Sequence, residues 1–234
     1  MKKLAFNAVT TPILAALSAL MIPAVTLEGA IVNGDFELGK MLNSSVWENP
    51  TPTNWTVSND AANSVFGIDS GSPAVGYLLA PHSANIAVAF TSDPSATGSG
   101  ASISQPVGTP TGVTYNLSMW VANPTQDAAN QQNVFSVSWD GNLISLSGGG
   151  NLIETSVGSK TYIVAPNTNW FNVTANDLPV TAGSTPLVIS ARNSPLATLV
   201  DDVSVVATPE PSTVVLLGCG AALTGLRRRR RAVS

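Results

Sequence analysis

Two pairs of carboxylates stand at opposite ends of the polar middle of the chain, Asp35 with Glu37 and Asp201 with Asp202. Like charges brought close repel, and a hard cation with about six to eight oxygen ligands would remove that repulsion and tie the two chain ends together. The alternative is that Asp35 makes a turn and Asp201 and Asp202 are solvated strand residues. A second chemistry is offered by aromatic rings beside amides. Trp120 with Asn116, and after it Trp170 with Asn172, would stack on a sugar ring and bind its hydroxyls if they faced solvent on a sheet. The competing reading buries Trp120 under a long loop such as 123–132 and lets Trp170 close the core at the start of a strand. Trp47 and Trp55 read as core or loop-packing residues.

Catalysis finds little support. His82 is the only histidine, so a multi-histidine metal site cannot be built. A serine triad would have to use it, and its neighbours Pro81 and Ser83 suggest an exposed turn without a nucleophile elbow. Glycoside hydrolysis needs two opposed carboxyl groups, and the spacing of Asp69, Asp140, Glu154 and Asp177 favours no pair. Gly148-Gly149-Gly150 lacks the following lysine of a phosphate cradle and reads as a mobile loop. The expectation is a protein that is not an enzyme.

The elements that must position these residues are strands. Ser, Thr, Asn and Gly dominate the middle of the chain, and short alternating apolar stretches recur about every ten residues between Pro, Gly or Asn-Asp punctuation. Strands are expected over 64–68, 74–79, 85–90, 101–107, 113–122, 133–139, 162–164, 170–174, 187–192 and 199–206. This is an all-β, two-sheet antiparallel sandwich. Alternation turns Val113, Tyr115, Leu117, Met119 and Val121 toward the core and Trp120 away from it. Phe135, Val137 and Trp139 point inward likewise, and Asp140-Gly141 or Gly141-Asn142 supplies a tight hairpin to Leu143.

Residues 31–208 are enough for one domain with a proper core. They contain twelve acidic and three basic residues, Lys40, Lys160 and Arg192, for a net charge of −9 where the whole chain has −4. Such a surface repels phosphate backbones, so nucleic acid is excluded as a partner and cations are the natural ones. The one cysteine, Cys219, lies in the C-terminal apolar segment. The domain therefore has no disulfide and must be stabilised by packing or by a bound ion.

Both ends are addresses. Lys2 and Lys3 precede an uncharged apolar stretch over 4–23, the layout of a secretory signal peptide, with cleavage expected between Ala24 and Ala30. At the other end Pro209-Glu210-Pro211 is followed by an apolar run of 13 residues, 214–226, and by Arg227, Arg228, Arg229, Arg230 and Arg231. That run falls short of the roughly 20 residues needed to cross a bilayer unaided, and the arginines would stay cytoplasmic. This order resembles the PEP-CTERM sorting signal of Gram-negative bacteria. The resemblance implies recognition by a membrane-embedded exosortase, cleavage near Pro-Glu-Pro, a transient stay in the inner membrane, and delivery to the cell surface or the extracellular polysaccharide matrix. The alternative is an unprocessed tail anchor.

The middle has a resemblance of its own. Asn33-Gly34-Asp35-Phe36-Glu37, Asn54-Trp55-Thr56-Val57, the stretch 112–120, and Leu199-Val200-Asp201-Asp202-Val203 together look like a galactose-binding-like or carbohydrate-binding-module jelly roll. In that family the first and last of these segments hold a structural calcium. The resemblance carries this role to Glu37 and Asp202 first, and to Asp35 and Asp201 second. The expected organisation is a signal peptide over 1–30, a jelly roll over 31–206 and a sorting signal over 207–234, both terminal segments being detached helices. The expected function is an exported, calcium-stabilised, non-catalytic surface or matrix protein; the alternatives are a specific carbohydrate-binding module and a hydrolase.

Overall fold

The computed structural model describes residues 31–38, 52–58, 63–69, 79–83, 85–92, 100–110, 112–124, 134–181, 183–192 and 197–208. The two terminal segments, Trp47 and all but the last residue of the expected strand over 74–79 lie outside them. Among the described residues twelve strands follow in order: β1 (Thr56–Ser58), β2 (Asn63–Asp69), β3 (Ile86–Ser92), β4 (Ala101–Gly108), β5 (Thr114–Asn123), β6 (Val134–Trp139), β7 (Asn142–Leu143), β8 (Leu152–Glu154), β9 (Tyr162–Val164), β10 (Asn167–Leu178), β11 (Ser184–Arg192) and β12 (Ala197–Thr208). They form two antiparallel sheets. A five-stranded sheet runs β10-β5-β12-β3-β2, and a seven-stranded sheet runs β1-β4-β11-β6-β9-β8 with β7 paired to β6. Among the described residues there is no α-helix, and no helix long and apolar enough to cross a membrane.

The expected alternation produces the core. Tyr115, Leu117, Met119 and Val121 of β5 are buried, facing Ile103 and Val107 of β4, Phe135, Val137 and Trp139 of β6, and Leu187 and Ile189 of β11. Each large side chain removed from water in this way contributes about 1.5–3 kcal/mol. Val113 packs against the core from its rim. Asp140 and Gly141 both have positive φ, 54° and 75°, and close the β6–β7 hairpin with Trp139 opposite Asn142, as a two-residue turn of this hand requires.

Three details differ from the sequence expectation. The glycine run is not a loose loop, for 149–151 forms a 3₁₀ turn and Gly148 backs onto Leu152 and Phe171. Strand β10 is far longer than 170–174 because its register shifts absorb irregular stretches that break the apolar alternation. Strand β12 continues past 206, with Ala207 opposite Tyr115 and Thr208 opposite Thr114, so the start of the expected sorting segment, 207–234, is tied to the sandwich by backbone pairing. Segment 31–38 has positive φ at Asn33 and Phe36, 58° and 57°. It is a set of turns plugged into the end of the sandwich by Phe36, whose ring lies 5.4 Å from that of Trp55. Gln105 holds it there, accepting from the Val32 N–H at 2.8 Å and donating to the Val32 carbonyl at 2.9 Å.

Candidate functional site

The two segments that carry the expected carboxylate pairs do meet. Val203 N–H donates to the Gly34 carbonyl at 2.8 Å. A Cβ on Gly34 would sit 1.9 Å from the Val203 carbonyl oxygen, so only glycine permits this approach. Beside the contact the β12–β5 register shifts between Asp201 and Ser204, and Asp202 takes the left-handed conformation with φ of 49°. Such a bulge re-aims side chains. In a regular strand Asp201 and Asp202 would face opposite sides, whereas here both reach residues 82 and 83, which with 79–81, 85 and 86 form a strap over the outer face of the five-stranded sheet.

Carboxylates hold this strap at several points. Asp202 bonds His82 Nδ1 at 2.6 Å and accepts from Ser83 Oγ at 2.6 Å. Asp201 accepts the backbone N–H of Ser83 at 3.0 Å and of Asp202 at 2.8 Å. Glu37 accepts the N–H groups of Asn85 and Ile86, both at 2.7 Å, and the Asn85 amide at 3.3 Å. Bonds to charged acceptors are about twice as strong as neutral ones, and here they fix the strap from its turn to the first residue of β3. Asp35 stands apart, accepting only a long 3.4 Å bond from Glu37 N–H. Asp201 is fully buried. Burial pushes its carboxyl up to about 7, with the N–H bonds from Ser83 and Asp202 pulling the other way and the charge of Asp202 adding to the rise.

The same strap brings the tryptophans together. His82 stacks on Trp120 with ring centroids 3.9 Å apart and planes at 15°, and meets Trp170 edge-on at 5.8 Å. Trp170 Nε1 donates to the Ala80 carbonyl at 2.8 Å. Leu79 and Trp170 cover a small apolar patch of Ala89, Ala122, Ala197 and Leu199. Trp120 therefore points away from the core as expected, but its cover is the His82 strap and not the loop after Asn123. Trp170 does not close the main core. Asn116 lies four residues from Trp120 on the same strand, about 13 Å away, and its side chain accepts the Asp177 N–H at 3.1 Å. The amide that does flank Trp120 is Asn172, directly opposite it on β10, with Asp201 opposite on β12. Asn172 also donates to Ser118 Oγ at 2.9 Å.

For a hard cation the donor chemistry is suitable, being carboxylate oxygen. The number is small: among the described residues no three Asp, Glu, His or Cys side chains gather closely enough to hold a metal. His82, Ser83 and Gln105 were absent from the site expected from sequence. Gln105 had a signal, as a polar residue in an inward position between Ile103 and Val107. His82 had none, because its partners are 38 and 120 residues away.

Comparison with known proteins places the PEP-CTERM protein-sorting motif at residues 207–231, which include all the expected signal residues from Pro209 to Arg231 and lie beyond the described residues except for Ala207 and Thr208. No curated protein matches the chain. Solved structures similar to it include TmCBM61 in complex with β-1,4-galactotriose, at 20% identity and a TM-score of 0.45 over 77% of this chain and 99% of that one. Another is the CBM22-1 xylan-binding domain of Paenibacillus barcinonensis Xyn10C, at 12% identity and 0.42 over 68% and 89%. A third is a Stig cyclase, Fisc, from Fischerella sp. TAU, at 10% identity and 0.48 over 76% and 96%. The chain thus carries a PEP-CTERM sorting signal, which implies export dependent on exosortase, behind an all-β sandwich.

Proposed function

We propose that this protein is an exported, non-catalytic β-sandwich that exosortase processes at its C-terminal signal and that resides at the cell surface or in the extracellular polysaccharide matrix. One observation carries the reading. The sorting motif starts at residue 207, within the last two residues of β12. The sandwich is complete where the signal begins, and cleavage near Pro209-Glu210-Pro211 releases it whole. A non-catalytic role is supported by the engagement of the titratable groups around the strap, which serve backbone N–H groups and a stacked imidazole. The test is fractionation of tagged full-length chain from the host with and without its exosortase. The tag is expected in the outer or extracellular fraction of the parent and in the inner membrane of the deletion strain; equal distribution in both would sink the reading.

A second reading, binding of an extracellular polysaccharide, is favoured by the cross-sheet row Asn172–Trp120–Asp201, which sets an aromatic face between an amide and a carboxylate. Retention on polysaccharide that persists in Trp120→Ala would argue against it. Structural calcium belongs to the proposal as well. Its support is Asp201, a buried carboxylate next to Asp202, with the Ser83 hydroxyl on the neighbouring carboxylate. Glu37, Asp201 and Asp202 would hold the ion, which would supply positive charge there. Thermal unfolding with calcium and then with chelator is the measurement, and an unchanged transition would remove calcium from the reading.

A further inference from the structure

The polysaccharide reading requires Trp120 to present a ring face, and that face is occupied. The imidazole of His82 lies parallel to the indole at 3.9 Å, within the separation of about 3.5–4.0 Å at which a flat sugar face makes carbon contacts. We propose that His82 is a gate: its ring holds the stacking position on Trp120 that a neutral pyranose of a polysaccharide would take, and rotation of His82 opens the site.

The strap is built for a side-chain movement and not for release of the segment. On one side of His82 its backbone is anchored by Trp170 Nε1 on the Ala80 carbonyl and by Leu79 on the outer apolar patch. On the other side Ser83 is held by Asp201 and Asp202, and Asn85 and Ile86 by Glu37. The His82 side chain makes one hydrogen bond, to Asp202, besides its ring contacts. Partly exposed side chains exchange rotamers on the picosecond to nanosecond scale, so His82 can swing outward with the backbone in place. The same rotation frees Asp202 Oδ2 to accept a sugar hydroxyl beside Trp120, while Asn172 and Asp201 flank the ring. Asp202 stands at this position through His82, and Glu37 holds the strap a few residues on at Asn85 and Ile86, so this side of the sheet carries negative charge that repels an anionic polymer. The chemical class that fits is therefore an uncharged hexose or pentose ring within a chain.

This inference rests on the polysaccharide reading, and two measurements separate their failures. Acrylamide quenching of tryptophan fluorescence in the full-length chain, in detergent, tests the cover without any ligand. Affinity electrophoresis of the same protein through gels containing galactan, xylan or alginate tests the sugar. His82→Ala should increase quenching and bind at least one neutral polymer roughly tenfold tighter than the parent. Trp120→Ala should abolish that retention, and alginate should retain neither. His82→Gln, which keeps an amide donor for Asp202 but loses the flat ring, should behave like His82→Ala and guards against loss of the strap. Unchanged quenching in both His82 variants would show that His82 does not cover Trp120 and would overturn the gate alone. Equal or weaker retention of the His82 variants, with the parent retained through Trp120, would overturn the gate and keep the polysaccharide reading. Raised quenching with no retention on any neutral polymer would overturn both.

Discussion

The two sheets treat their outer faces differently. In the middle of the seven-stranded sheet, with Pro106, Pro186, Val134 and Arg192 farther out along the strands, the outward positions of three central strands are Ser102 and Ser104 of β4, Val188 and Ser190 of β11, and Ser136 and Ser138 of β6, lying in register across the sheet. These are short, uncharged side chains that need no cover. On the five-stranded sheet the comparable row is Asn172, Trp120 and Asp201. A large ring and a buried carboxylate there are tolerated because a strap lies over them, and the strap is held by acids from both ends of the domain. A covered face stores its polar groups in a network in which each member depends on the others. An open face of hydroxyls has no such dependence, and substitutions there should be nearly silent.

The contrast can be broken most severely at Gly34. Gly34→Ala drives a Cβ into the Val203 carbonyl and displaces the segment that carries Glu37 and Phe36, so a loss above about 4 kcal/mol in chemical denaturation is expected. Next is the pH dependence of Asp201. Its carboxyl is raised from 3.8 to about 7 in the fold, so between those values the folded chain holds a proton that the unfolded chain has released. Its contribution to stability is full below the lower value and is lost as pH rises through the upper one. The unfolding free energy of the parent relative to Asp201→Asn, measured in chelator, should fall by about 2–4 kcal/mol from mild acid to mild base. A flat difference would mean that the carboxyl is not desolvated by the strap. Glu37→Gln retains the shape but weakens the acceptor for Asn85 and Ile86, and should cost about 1–2 kcal/mol, the bond being partly solvent-screened. It should also speed hydrogen exchange at those two amides. Ser190→Ala, on the open face, should change stability by no more than about 0.5 kcal/mol; a larger loss would show that this face too is part of a network.

Much of the sandwich was legible because alternation is a local property. The run from Val113 to Val121 assigns its own faces, and nine of the ten expected strands, all but 74–79, coincide with observed ones although several ends move. The short strands β1 and β8 were not legible, since three residues carry too little pattern. The site was legible in its acids and in Trp120, whose outward direction follows from parity. It was not legible in Asn116, where parity gave the right face but the wrong row, nor in His82, whose flanking proline describes a turn and says nothing of what the turn rests on.

The amino-acid sequence by itself determined the address of this protein and the inward and outward sides of its strands, because a linear motif and a two-residue period depend only on neighbours along the chain. The tertiary structure alone decided that Asp201 and Asp202 act on one side and that His82 lies on Trp120. A bulge arises from how two strands pair, and a strap finds its seat from residues as far away as Glu37 and Asp202; neither is encoded in a local pattern, because the energies that select them come from contacts that exist only once the sheets have assembled.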